Sequence, residues 1–175
     1  MGRFEISEKD LSVIEKQLNR KIINDIKVVK RCSYGYPQVI KNYPLKDKKP
    51  FPTLHWLSCP FLIEQVSKIE EVHSIKLFEK ELMEDKTLQE KMDKAHNQEI
   101  KERLEILENE ITSLPENMQK KLKTVGIGGI QNFKTIKCLH LHLASYLGGI
   151  DNPIGKKVWD SLNEKECSNC ICGRE

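Results

Sequence analysis

The stretch Ile26-Lys27-Val28-Val29-Lys30-Arg31-Cys32-Ser33-Tyr34-Gly35-Tyr36-Pro37-Gln38-Val39-Ile40-Lys41-Asn42-Tyr43 decides the fold class. Residues 26–32 are rich in β-branched side chains and read as a strand, and 36–43 read as a second. Ser33-Tyr34-Gly35 between them reads as a hairpin turn, with Gly35 free to take positive φ. Residues 53–58 alternate enough for a third short strand. The rest of the pattern is mostly helical. The expected fold is therefore α+β: a small antiparallel sheet of about three strands packed on a mainly helical body.

Working outward, residues 7–19 read as a helix capped by Ser7, with Leu11, Ile14 and Leu18 on one face. The three prolines and the charge run of 43–52 exclude regular structure there. Pro60 suits the first turn of a helix carrying Phe61, Leu62, Val66 and Ile69. Over 75–114, Leu88, Met92, Ala95, Ile100, Leu104, Leu107 and Ile111 keep close to a 3.6-residue period. The opposite face is Glu and Lys, and Thr87 marks a break into two helices. Pro115 ends the run, and a short helix follows to Lys123. The glycine-rich 125–130 loop feeds a helix expected from about Phe133 to Leu147, which Gly148-Gly149 ends. Asn152-Pro153 opens a last helix with Ile154, Val158 and Leu162 inside.

A length of 175 residues suits one domain with a real core. We assign residues 1–164 to it. Residues 165–175 form a Cys-rich tail, of the kind often disordered unless tied down. The net charge of +3 is small and its lysines are spread among glutamates, so no nucleic-acid footprint stands out. A small anion is the partner that charge favours. No apolar run is long enough for a membrane span. Met1-Gly2-Arg3-Phe4-Glu5 lacks a signal-peptide core, and Ser7 is out of register for myristoylation. A cytoplasmic address is expected, and the six cysteines are then reduced thiols or metal ligands. Nothing here fixes an oligomeric state.

The chemistry centres on Lys137-Cys138-Leu139-His140-Leu141-His142. On a regular helix, residues four apart share a face and residues two apart do not. Cys138 and His142 can therefore meet one ligand, whereas His140 falls with the apolar Ile136, Leu143 and Leu147. Cys32 and Cys59 each end a strand, where loops gather. Cys32, Cys59, Cys138 and His142 would make a zinc set, and the three thiolates with one more ligand would suit an iron–sulfur cluster. The plainer alternative is three separate buried cysteines. Cys167-x-x-Cys170-x-Cys172 has metal-ligand spacing and is read as an accessory site or as idle. Gly128 and Gly129, with Lys134, Lys137 and Arg31, offer an anion cradle, although the loop is not a Walker A motif. A glycine turn without a ligand is the plainer reading. His55 is expected at the surface or a site rim, with Trp56 in the core. His73 and His96, on charged helical segments, are expected to be solvated.

Several short motifs come in a recognisable order: Arg31-Cys32-x-x-Gly35-x-Pro37, Pro50-Phe51-Pro52-Thr53-Leu54-x-Trp56-Leu57-x-Cys59-Pro60, Gly128-Gly129, Lys137-Cys138-Leu139-His140 and Asn152-Pro153-x-Gly155. In this the chain resembles the bacterial domain-of-unknown-function family 501, over nearly everything from Asp25 to Trp159. The resemblance implies a small single-domain protein and adds no reaction. It implies that Arg31, Cys32, Cys59, Cys138 and His140 share a site, and so favours His140 where helical geometry favours His142.

The leading expectation is a metal-binding (zinc or iron–sulfur) or thiol-based protein. An enzyme or binder of a phosphate-bearing small molecule is the alternative. A third reading is an interaction module that uses the long charged helix.

Overall fold

Val39 and Ile40 are both fully buried, although neighbours along a strand face opposite sides of a sheet. Their strand must therefore be covered on both faces. The computed structural model, which describes residues 4–72 and 75–173, shows how. His73 and the Met1-Gly2 end lie outside the described residues. The strands are β1 (Ile26–Arg31), β2 (Pro37–Asn42), β3 (Leu45–Lys46), β4 (Lys49–Pro50) and β5 (His55–Leu57). β1, β2 and β5 form an antiparallel sheet in the order β1-β2-β5. The expected α+β class holds, with seven helices among the described residues.

Helix α1 (Glu8–Leu18) starts where Ser7 accepts a hydrogen bond from the Asp10 amide and ends at Asn19 in the left-handed region. It covers one sheet face, where Ile14 packs with Ile26 and Ile40. Gly35 sits at φ 84° in the β1–β2 turn, as expected. The 43–52 segment departs from expectation, because β3 and β4 pair within it. Asp47 and Lys48 both take positive φ, which suits the tight two-residue hairpin that joins them.

The other sheet face meets the helical body, formed by α2 (Pro60–Val72), α3 (Ile75–Glu84), α4 (Lys86–Leu107), α5 (Glu116–Thr124), α6 (Leu139–Leu147) and α7 (Pro153–Ser161). Val39 and Leu57 join Leu62, Val66, Met92, Leu139, Leu143 and Val158 in its core. The break in the long helical run falls at Asp85, which caps α4 by accepting from the Leu88 amide at 3.1 Å.

Strand register corrects two expectations. Trp56 pairs with Ile40 and His55 with Lys41, so Trp56 turns to the α1 face and His55 to the helices. His55 is 1% exposed, while Trp56 is only partly buried. His96 is likewise fully buried and not solvated. The reason lies on α4, whose inner face carries His96, Glu99 and Arg103 among its apolar residues.

Helices α6 and α7 cross where a side chain on Gly155 would overlap the carbonyl oxygen of His142. Gly155→Ala should therefore cost about 2–3 kcal/mol, the scale of overpacking against a backbone that cannot give way. Urea unfolding checks this, and a loss below about 0.5 kcal/mol would mean that the two helices part freely.

Candidate functional site

The expected helix over 133–147 begins only at Leu139. Three amides at and before its start are taken by side chains instead of by carbonyls four residues back. Asn132 accepts from the Lys134 amide at 3.1 Å. Glu79 of α3 accepts from the Ile136 amide at 2.8 Å, and Glu70 of α2 from the Leu139 amide at 2.6 Å. Cys138 is left as the N-cap residue in extended backbone, φ −164° and ψ 155°.

That single change redraws the site. The four-residue spacing no longer places Cys138 and His142 on one face. His142 is fully buried, and its Nδ1 accepts from Asn152 Nδ2 at 3.1 Å. Its partnership with Cys138, expected from a regular helix, is corrected. Cys138 stands beside His140 instead, and Glu70 completes the group. One ligand atom from each of Glu70, Cys138 and His140 lies within 4.8 Å of the others.

The imidazole of His140 is held by α2. Its Nε2 donates to the Ile63 carbonyl at 3.0 Å and lies 3.2 Å from Ser67 Oγ. Its Nδ1 faces Glu70 Oε1 at 3.3 Å. With Nε2 carrying a proton, Nδ1 of the neutral ring is an acceptor aimed at a carboxylate. A proton or a metal ion must lie between them for that approach to be favourable. Consistent with this, the pKa of His140 is raised, first by the Cys138 sulfur, with burial opposing and Ile63 and Glu70 adding to the rise. Ile63, Ser67 and Glu70 recur at i, i+4 and i+7 on α2. That stripe is the sequence signal for Glu70, a residue outside the cysteine and histidine motifs.

Beside this group a cavity of about 480 Å³ runs along the edge strand β5. Lys137, Cys138 and His140 line it together with Arg20, His55 and Trp56. Arg20 lies over the Trp56 ring at 4.2 Å. Behind His55, Glu99 Oε2 stands 3.5 Å from Nδ1, with both side chains 1% exposed.

Of the expected anion cradle, Gly128 and Lys137 line this cavity, whereas Gly129 and Lys134 do not. Arg31 is spent elsewhere, in a two-pronged pair with Asp10 at 2.8 Å for each bond. Arg20 takes the place expected of Arg31. Its signal was weak, a lone arginine just past a helix end.

Cys32 and Cys59 do not join Cys138. They line a different, enclosed pocket with Cys167, Cys170 and Cys172 of the tail. Burial pushes the Cys59 thiol up to about 11, although amides of Leu62 and Phe61 at the start of α2 favour its thiolate. The single Cys32–Cys59–Cys138 constellation expected from sequence is thus two separate groups.

A family model described as a protein of unknown function (DUF501) matches residues 28–160. The chain belongs to this family. No curated protein and no solved structure matches the chain. The DUF501 match spans Cys32, Cys59, Glu70, Cys138 and His140, and it stops short of the tail cysteines.

Proposed function

We propose that Glu70, Cys138 and His140 hold a divalent metal ion of the zinc type, and that the adjoining cavity takes a small anionic molecule. The observation that carries this reading is the convergence of the three ligand atoms within 4.8 Å at the cavity wall. Sulfur, imidazole and carboxylate are a donor set that suits zinc. Three protein ligands leave a fourth position open, the pattern of metal sites that act on a substrate. The Nε2–H bond to the Ile63 carbonyl fixes the ring and frees Nδ1, as outer partners of metal-binding histidines do. Arg20 and Lys137 supply positive charge for the anion, and the Trp56 ring supplies an apolar wall. A metal there would polarise an oxygen of the bound molecule or activate a water.

A second reading rests on Cys138 heading α6 beside His140. His140 there would take the thiol proton as Cys138 acts as a nucleophile. Metal analysis of untagged protein separates the two. The metal reading expects about one zinc per chain, falling at least tenfold in both Glu70→Gln and Cys138→Ser. Zinc that survives both substitutions, or none in the parent protein, overturns it. The thiol reading expects metal-free protein with rapid iodoacetamide alkylation of Cys138 that slows in His140→Gln.

A further inference from the structure

We infer that the cavity along β5 takes a short extended peptide bearing a carboxylate, added to the sheet as a strand beside β5. This names the chemistry of the anionic molecule proposed for the cavity. It rests on that reading of the cavity, and not on the metal.

Among the described residues, β5 has a neighbouring strand on one side only, β2. The Leu54 carbonyl accepts from the Asn42 amide at 2.7 Å, and the Ser58 amide donates to the Gln38 carbonyl at 2.9 Å. Between them Trp56 stands opposite Ile40. Residues 54, 56 and 58 therefore turn their main-chain groups to β2. These groups alternate along a strand, so the amides and carbonyls of His55 and Leu57 turn the other way. Both residues line the cavity. Among the described residues, no partner takes those four groups. Main-chain donors and acceptors call for partners, and proteins normally cover or charge the edge of a sheet. Here the edge is left open onto a cavity of about 480 Å³.

The cavity is built to receive a strand. β5 has three residues. At about 3.3 Å per residue this is about 10 Å of edge, which matches an occupant of about three residues. The cavity draws apolar walls from both layers that cover the sheet: Leu18 at the end of α1, and Ile63 and Leu141 of the helical body. Main-chain bonding to an open edge is a recurring way of holding a peptide.

Charge supplies the carboxylate. Arg20 and Lys137 both line the cavity, and among the described residues neither pairs with an acidic side chain. Arg20 lies over the Trp56 ring by its flat face, at 4.2 Å, which leaves its N–H groups available. A guanidinium can hold a carboxylate by two parallel bonds. The cavity thus asks for an anion that also carries alternating amides and carbonyls. A peptide acid has both, and a phosphate ester lacks the second.

The test uses the full chain, isotope-labelled for NMR. The probes are N-acetyl-Ala-Leu-Ala with a free carboxylate, the same peptide with every main-chain nitrogen methylated, its C-terminal amide, and inorganic phosphate. The free acid should move the His55 and Leu57 amide protons downfield and slow their exchange. Methylation should weaken binding about tenfold, through the lost main-chain bonds. Amidation should weaken it about fivefold, and so should Arg20→Gln, which changes an exposed side chain and leaves the core alone. A peptide that binds without moving either amide, or a methylated peptide that binds as well as its parent, overturns the added strand. Phosphate that binds where the peptide does not overturns the peptide and keeps the anion site. If neither binds, both readings of the cavity fall.

Discussion

Arg103→Met should be among the most destabilising single changes in this protein, with a loss of about 4 kcal/mol or more. The Arg103 side chain is fully buried. Its guanidinium donates to four carbonyls: Leu122 at 2.8 Å, Val125 at 2.7 Å, Pro52 at 2.8 Å and Gly126 at 3.2 Å. These belong to the end of α5, the loop after it and the loop before β5. Methionine fills much of the same space and donates nothing. Each abandoned carbonyl then costs about 1–3 kcal/mol of unrecovered desolvation. Glu99, one turn earlier on α4, loses a nearby positive charge as well. The two loops carry Gly128 and Thr53 to the cavity wall, so the cavity should lose its shape together with stability. Urea unfolding of the two proteins is the check, and a difference under about 1 kcal/mol would show that the arginine does not clamp these loops.

The second large effect is acid lability through histidines buried in neutral form. His96 and His142 are fully inaccessible. The His96 pKa falls from 6.5 to about 4, chiefly by burial, against smaller opposing pulls from Glu99, Asp93 and the Phe133 backbone. His142 falls to about 4 by burial and by repulsion from His96, with Asn152 and Glu99 opposing. The geometry agrees. The Ile127 amide donates to His96 Nδ1 at 3.0 Å, and Asn152 donates to His142 Nδ1, so each ring is held as an acceptor.

The sign follows from which state takes the proton first. Below pH 6.5 the unfolded chain protonates these rings and the folded chain does not. Stability is therefore complete above about 6.5 and falls as the pH drops toward 4. The loss is on the order of 3 kcal/mol for each ring, and less than the sum for two that repel. His140 works in the opposite sense, because its folded pKa is raised and its contribution is lost as pH rises. A His96→Gln protein isolates the effect, since glutamine can still accept from the Ile127 amide. Its stability between pH 6.5 and 4.5 should fall about half as steeply as the parent's. An unchanged slope would sink the assignment.

Local rules, readable in the sequence, were enough for much of this fold. Ser7 and Asn152 act as caps, Gly35 takes its positive φ, and the β1–β2 hairpin forms where β-branched residues cluster. Each depends on neighbours a few residues away, and local propensity decides such features. The same holds for the apolar stripe of α4, from Leu88 through Leu107.

What local rules could not give was the start of α6. Lys137-Cys138-Leu139-His140-Leu141-His142 reads as mid-helix by composition. Two carboxylates from distant helices, Glu70 and Glu79, instead claim the amides of Leu139 and Ile136. Those bonds span 69 and 57 residues, and no local pattern records them. They decide that Cys138 meets His140 and that His142 goes to the core. Tertiary packing also decided which cysteines meet, because a thiol carries no periodicity and its partners are set by where the loops land. The sequence by itself determined an α+β domain with thiols at Cys32, Cys59 and Cys138. Only the folded chain sorted them into two separate groups, one with Glu70 and His140 and one with the tail.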